Sequence, residues 1–272
     1  MAAPALASGC TGWQSVSENL LMNGRPSVVH QSLLCLGLMI FLSGALSVRA
    51  ALIDASVKTS TEANTVRAAV GPFIQAQVAT LQKDDPAAQS SAREALTAEA
   101  SLPGSKSPSS TYLDIYSEEL NKALLPVLDN PNMRVRLNAA IAAARVAQAA
   151  QTIRLAELAQ KALEDKQDAV VIWGLQIARF TIPAVSNNPV AAANDKLVPA
   201  VVKFVTEHPR ATVTQYGYDA LMLDVLDVNA ARGRNWSATQ WKSALQHVIP
   251  AVQTVFRKRL DQFQQGVPDD PQ

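Results

Sequence analysis

Few side chains in this sequence carry groups that could do chemistry. Downstream of residue 50 there are two histidines, His208 and His247, and no cysteine, because Cys10 and Cys35 both precede that point. A general base, an activated nucleophile or a protein-held metal needs several such groups in register. His208 falls in a Glu207-His208-Pro209 turn and His247 on the polar flank of an amphipathic segment, where solvated imidazoles are expected. Asp224 and Asp227 are three apart and would share a helix face or its end, bringing two carboxylates toward one cation or sugar. No further oxygen ligands cluster with them, so solvated helix-end carboxylates are the simpler reading. Gly104 and Gly217 stand alone, and no glycine pattern cradles a phosphate.

Cations and aromatics are more suggestive than acids and bases. Arg134 and Arg136 flank a turn, with Arg145 further along, and would offer guanidinium groups to a carboxylate or phosphate partner. Trp173 and Tyr216 fall at near-equivalent positions of two successive apolar segments, with Tyr218 beside the second. Core packing fits them, and so does a partner-facing surface. Arg257-Lys258-Arg259 is a short basic run for which a solvated face is the default and a membrane-surface contact the alternative. The 24 basic and 23 acidic residues nearly cancel, so no nucleic-acid partner is expected.

These residues sit on a chain built for helices. Its 272 residues are 48% hydrophobic, much of that alanine, with 11 glycines and 5% aromatics, which favours an all-α fold. Val66, Val70, Ile74, Val78 and Leu81 recur at helical spacing until Lys83-Asp84-Asp85-Pro86 breaks the run, and Ala87–Ala100 follows. The breaker-rich stretch Leu102–Ser110 then makes the best internal boundary. Leu113, Tyr116, Leu120, Leu124, Val127 and Leu128 form the next stripe, ending at Asp129-Asn130-Pro131, after which Met133, Leu137, Ala140, Ile141 and Ala144 begin another. A second apolar row, Val135, Ala139, Ala142 and Val146, makes this helix apolar on two sides, as expected for one sandwiched between neighbours.

The pattern recurs through Leu155–Ile177 and Leu197–Leu221. Val135, Val170 and Val213 coincide when the segments are overlaid, and four positions later so do Ala139, Gly174 and Gly217. The offsets are 35 and 43 residues. Helix pairs of this period joined by short acidic or proline turns point to stacked hairpins, and a generic Ala-rich bundle would give similar periodicity. Leu124-Leu125-Pro126-Val127-Leu128-Asp129-Asn130-Pro131, followed by Val135-Arg136-Leu137-Asn138-Ala139-Ala140, resembles the HEAT (armadillo-type) helical repeat family. Weaker echoes are Val70-Gly71-Pro72-Phe73-Ile74, Leu197-Val198-Pro199-Ala200-Val201 and Val248-Ile249-Pro250-Ala251-Val252. The resemblance covers about residues 62–224 and implies an α-α solenoid in which Arg136 pairs with a turn aspartate of a neighbouring repeat, Asp129, Asp165 or Asp168 being available, ahead of any outside partner. Only one repeat carries the Val-Arg pair, and loops at Pro183–Asn194 and Asp227–Trp236 interrupt the series. Some HEAT-like proteins are iron enzymes using His-Glu pairs; this chain has no His-Glu step, so that activity does not carry over. Ser237-Ala238-Thr239-Gln240 has capping-box spacing. It precedes one long stripe, Trp241, Leu245, Val248, Ile249, Val252, Phe256, Leu260 and Phe263, read as a terminal cap helix.

Before all this comes an address. Ser32–Val48 carries no charge, and Val48-Arg49-Ala50 places small residues where a signal peptidase needs them, so cleavage between Ala50 and Ala51 is expected. Met22 would start a leader of ordinary length; an uncleaved anchor is the competing reading. Removing Arg25 and Arg49 from the basic residues and Glu18 from the acidic ones leaves Ala51–Gln272 with 22 of each. The expected organisation is a leader or anchor (1–50), a helical hairpin (51–102), a linker (103–111), repeats with the cap helix (112–265) and a tail (266–272). The expected function is that of an exported, periplasmic or secreted, non-enzymatic interaction protein without cofactor. It would hold a protein or peptide on a helical surface through Trp173, Tyr216, Tyr218, Arg134 and Arg136, and meet a membrane only through an uncleaved leader. The competing reading is a cell-envelope enzyme or carbohydrate-binding domain that uses Asp224, Asp227, His208 or His247.

Overall fold

Capping side chains set where six of the described helices begin. Asp54 Oδ1 accepts from the Ser56 N–H at 2.7 Å and opens a short α1 (Ala55–Thr59). After α2 (Ala63–Leu81), Asp85 caps α3 (Pro86–Ala98), whose first residue is a proline that lacks only a hydrogen bond it could not have made there. Ser109 caps α4 (Ser110–Leu124), and a 3-10 turn at Pro126–Asp129 leads to Asn132, the cap of α5 (Met133–Ala150). A second 3-10 turn, Ile153–Leu155, precedes α6 (Ala156–Leu163). Then come α7 (Asp168–Ser186), the short α8 (Pro189–Ala193), α9 (Leu197–Glu207), α10 (Ala211–Leu221) and α11 (Ala238–Gln264). The capping box of α11 forms as expected: Ser237 N–H donates to Gln240 Oε1 at 2.8 Å, and Gln240 N–H to Ser237 Oγ at 3.3 Å.

The computed structural model describes residues 52–102, 107–208, 211–223 and 237–266, without the side chains of 211 and 212. No strand occurs among the described residues, so the fold class is all-α. All of them belong to one unit, Ala50–Gln272. The expected leader and its expected cleavage site at Ala50 and Ala51, residues 103–106, Asp224, Asp227 and residues 267–272 lie outside the described residues.

Packing follows chain order. α2 pairs with α3, α4 with α5, α6 with α7 and α9 with α10. The first members touch in sequence, α2 on α4, α4 on α6, α6 on α9 and α9 on α11; so do the second members, α3 on α5, α5 on α7 and α7 on α10. One hydrophobic cluster extends from Ile53 to Val255. By length and composition α7 is apolar enough to cross a bilayer, but most of it is buried, and it packs on α5, α6 and α10.

The recurring small residues mark the closest approaches. A Cβ on Gly174 would lie 2.9 Å from Ala162 Cβ, and one on Gly217 would lie 2.1 Å from Val205 Cγ2. Each glycine thus faces the first helix of its own hairpin, and Ala139 at the equivalent place is fully buried. Two boundaries differ from expectation. Helix α7 continues through Pro183 to Ser186, because buried Ile182 and Val185 hold the turn whose hydrogen bond the proline cannot donate. Only then does the chain leave it, and α8 interrupts the expected loop. The linker ends at Ser109, whose Oγ donates to Ser60 O at 2.6 Å and accepts from the Tyr112 N–H at 3.0 Å.

Candidate functional site

The second helices of the hairpins carry the aromatic and cationic side chains singled out in the sequence. Trp173 on α7 is half-buried, and the exposed Arg145 of α5 places its guanidinium carbon 5.7 Å from the indole ring centroid, a cation–π contact between adjacent hairpins. Phe180 lies two helical turns beyond Trp173 on the same face, with the Arg179 guanidinium 5.6 Å from its ring. On α5, Arg134, Ile141 and Arg145 align by helical spacing. Gly174 and Gly217 each point at the first helix of their hairpin, so Trp173 and Tyr216, one residue earlier, are turned from that contact by the same angle in the same sense. Arg134, Arg145, Trp173 and Tyr216 therefore belong to one side of the α5, α7 and α10 row.

Arg136 and Tyr218 do not. Each is two residues from Arg134 or Tyr216, which turns it by about 200° on its helix. Arg136 is a strut between hairpins: its Nε donates to Asp165 Oδ2 at 2.6 Å, Nη2 to Asp165 Oδ1 at 3.2 Å and Nη1 to the Asn130 and Pro131 carbonyls at 2.9 and 3.2 Å. Burial raises the Asp165 carboxyl, but hydrogen bonds from Arg136 and from the Gln167 and Lys166 N–H groups pull further the other way, leaving it below the ordinary carboxylate value. The hydrogen bonds to Asp165 in turn raise Arg136. Asp165, one of the three turn aspartates considered for this arginine, is the partner. Lys161 Nζ spans the same seam to Asp129 Oδ1 at 2.8 Å.

Two shallow grooves lie along the turns, about 480 Å³ beside Asp129, Lys161 and Asp165, and about 420 Å³ beside Glu164, Asp168, Lys203 and His208. Their charges are mixed, and Asp129 and Asp165 are already paired. The His208 ring stacks on Phe204 at 4.2 Å, and its Nδ1 is 3.0 Å from Phe204 O. His247 lies elsewhere, with Nε2 3.0 Å from Asp195 Oδ2. The Asp195 carboxylate also accepts from the Leu197 and Val198 N–H groups at 2.8 and 3.1 Å, so His247 fastens α11 to the start of α9. Among the described residues no group of three or more His, Cys, Asp or Glu is placed to hold a metal ion.

The last helix departs most from its sequence pattern. Ala244, Val248 and Val255 are buried, while Phe256 and Phe263 are 68% and 75% exposed, and Leu245, Ile249, Val252 and Leu260 are between 37% and 46% exposed. Of the stripe read from the sequence only Val248 is buried and Trp241 partly so; its other six residues lie on the half of the helix that faces solvent. Between that half and the end of α10 is an apolar groove of about 260 Å³, lined by Leu221, Met222, Leu223, Leu245, Val248 and Ile249 among others.

No protein-family model matches the chain, and neither does any curated protein.

Proposed function

We propose that this protein is a non-enzymatic interaction scaffold, exported by its apolar leader, in which HEAT-like hairpins form a short α-solenoid. Its second-helix side takes an extended peptide or protein segment bearing carboxylates and an apolar anchor. The order of helix contacts supports the solenoid reading, since each hairpin leans on the next. The observation that carries the binding surface is the Arg145–Trp173 contact. A partly buried tryptophan beneath an exposed guanidinium offers an aromatic anchor next to a cation that can grip a carboxylate. Arg134 and Tyr216 extend the same side.

The test is selection from a random peptide library with the purified chain and with a Trp173→Ala/Arg145→Ala variant whose helical signal and melting are checked first. The wild type should enrich acidic peptides with an aromatic or branched aliphatic residue, and the variant should lose that enrichment by about tenfold or more, the size of one good hot-spot contact. Equal enrichment by both proteins would remove the surface from α7. Export is tested by the intact mass of the protein recovered from its native source, which should begin at Ala51.

A further inference from the structure

We propose that the exposed side of α11 is the contact between two copies of this chain, packed antiparallel about a twofold axis that passes through Phe256. The spacing of the exposed apolar residues is the first reason. Leu245, Ile249, Val252, Phe256 and Phe263 follow one another at steps of four, three, four and seven, so Ile249, Phe256 and Phe263 repeat every seven residues and Leu245 and Val252 share a second such row. A seven-residue apolar repeat on the surface of a 27-residue helix fits another helix.

Self-complementarity selects the same chain as the occupant. An axis through Phe256 sets Ile249 against Phe263 of the second copy and Val252 against Leu260, and the symmetry makes every such contact twice. The pairing also brings the most exposed ring, Phe263, to the apolar groove between α10 and α11. The area suffices. An aromatic side chain buries roughly 150–250 Å², so the exposed parts of the two phenylalanines and four aliphatics together present on the order of 500 Å² per copy. With polar flanks this approaches the ~800 Å² per partner of a standard interface.

The experiment is sedimentation of the purified full chain from about 1 to about 100 µM, a range that brackets micromolar self-association. The wild type should form dimers, and Phe256→Asp should raise the dissociation constant by at least about 100-fold while leaving the helical signal and melting nearly unchanged, since the side chain is mostly exposed. A second measurement does not depend on that variant: with Cys10→Ser and Cys35→Ser in place, Phe256→Cys should be joined to itself by a short bis-maleimide, and Lys258→Cys, on the far side of the helix, should not. A wild type monomeric throughout the range, a dimer that persists in Phe256→Asp, or equal cross-linking through positions 256 and 258 would overturn the proposal. So would a monomer that binds anionic phospholipid vesicles through these residues, which would assign the face to lipid.

Discussion

Where α2 and α3 face solvent they present Asn64, Arg67, Gln75, Ala76, Ala79 and Glu94, and neither helix has an exposed large apolar side chain. Where α11 faces solvent it presents six. The interior beside α2 and α3 is filled by rings and an ion pair. Tyr112 and Tyr116 stack at 5.6 Å, fully buried, and donate to the Glu99 and Leu96 carbonyls at 3.0 and 2.7 Å. Burial pushes both phenols above their ordinary pKa. Lys58 reaches in from α1, its Nζ 3.2 Å from Ser101 O and 2.8 Å from Glu99 Oε2, the latter an ion pair by proximity and off the axis of a good hydrogen bond. At the other end, Arg259 and Gln262 tie α11 to the Val205 and Thr206 carbonyls, which fixes the helix in place and leaves its second apolar row open. Among the described residues, α2 and α3 thus keep a polar outer face, while the open row of α11 has the composition of an interface.

The contrast can be broken first at its closed end. Tyr116→Ala removes a buried ring together with its hydrogen bond and should cost about 3–5 kcal/mol, read by urea unfolding. Self-association through α11 should survive wherever the chain remains folded. Arg136→Ala leaves the Asp165 carboxylate and two carbonyls short of a donor and should cost about 2–3 kcal/mol.

The Arg136 substitution should also flatten the acid limb of the stability curve. Asp165 titrates lower in the folded chain than in the unfolded one, so the unfolded chain takes the proton first as pH falls. The contribution is complete above the ordinary carboxylate value and is lost as pH drops through the depressed one. Glu118, held at about 2 by Arg67 and Lys122 against an ordinary 4.5, acts in the same sense between those values, weakened by solvent screening.

Gly217→Ala tests the close approach between helices at the open end. Overpacking against Val205 costs about 1–3 kcal/mol and is offset by about 1 kcal/mol of helix propensity, so a net loss of up to about 2 kcal/mol is expected in the melting curve. The smallest effect belongs to Arg154→Ala. Its fork on Asp114, with bonds of 2.8 to 3.1 Å, lies in solvent and should contribute about 0.2–1 kcal/mol. A larger loss would show that exposed pairs between hairpins matter more than their burial implies.

Much of this architecture could be read from residue patterns. Stripes at helical spacing placed α2 through α7, the acidic and proline turns separated them, and the recurrence of Gly174 and Gly217 marked where helices come closest. These signals are local or depend on side-chain size, which sequence states directly. The Arg136–Asp165 strut was readable only as one of three pairings, since the choice depends on how far one hairpin rotates on the next. Trp173 was visible as an aromatic, but its contact with Arg145 was not, because neighbouring second helices bring together residues 28 apart in the chain. Helix α11 shows the sharpest limit. Periodicity tells which side of a helix is apolar and says nothing of how much of that side a neighbour covers. The seven-residue spacing of Ile249, Phe256 and Phe263 was the available signal that a second helix belongs there.

The most direct test of this difference between the ends is hydrogen–deuterium exchange of the full chain at about 1 µM and about 100 µM, concentrations on either side of micromolar pairing. The account predicts slower exchange across residues 245–263 at the higher concentration, with α2 and α3 unchanged. Identical uptake by α11 at both concentrations would contradict it.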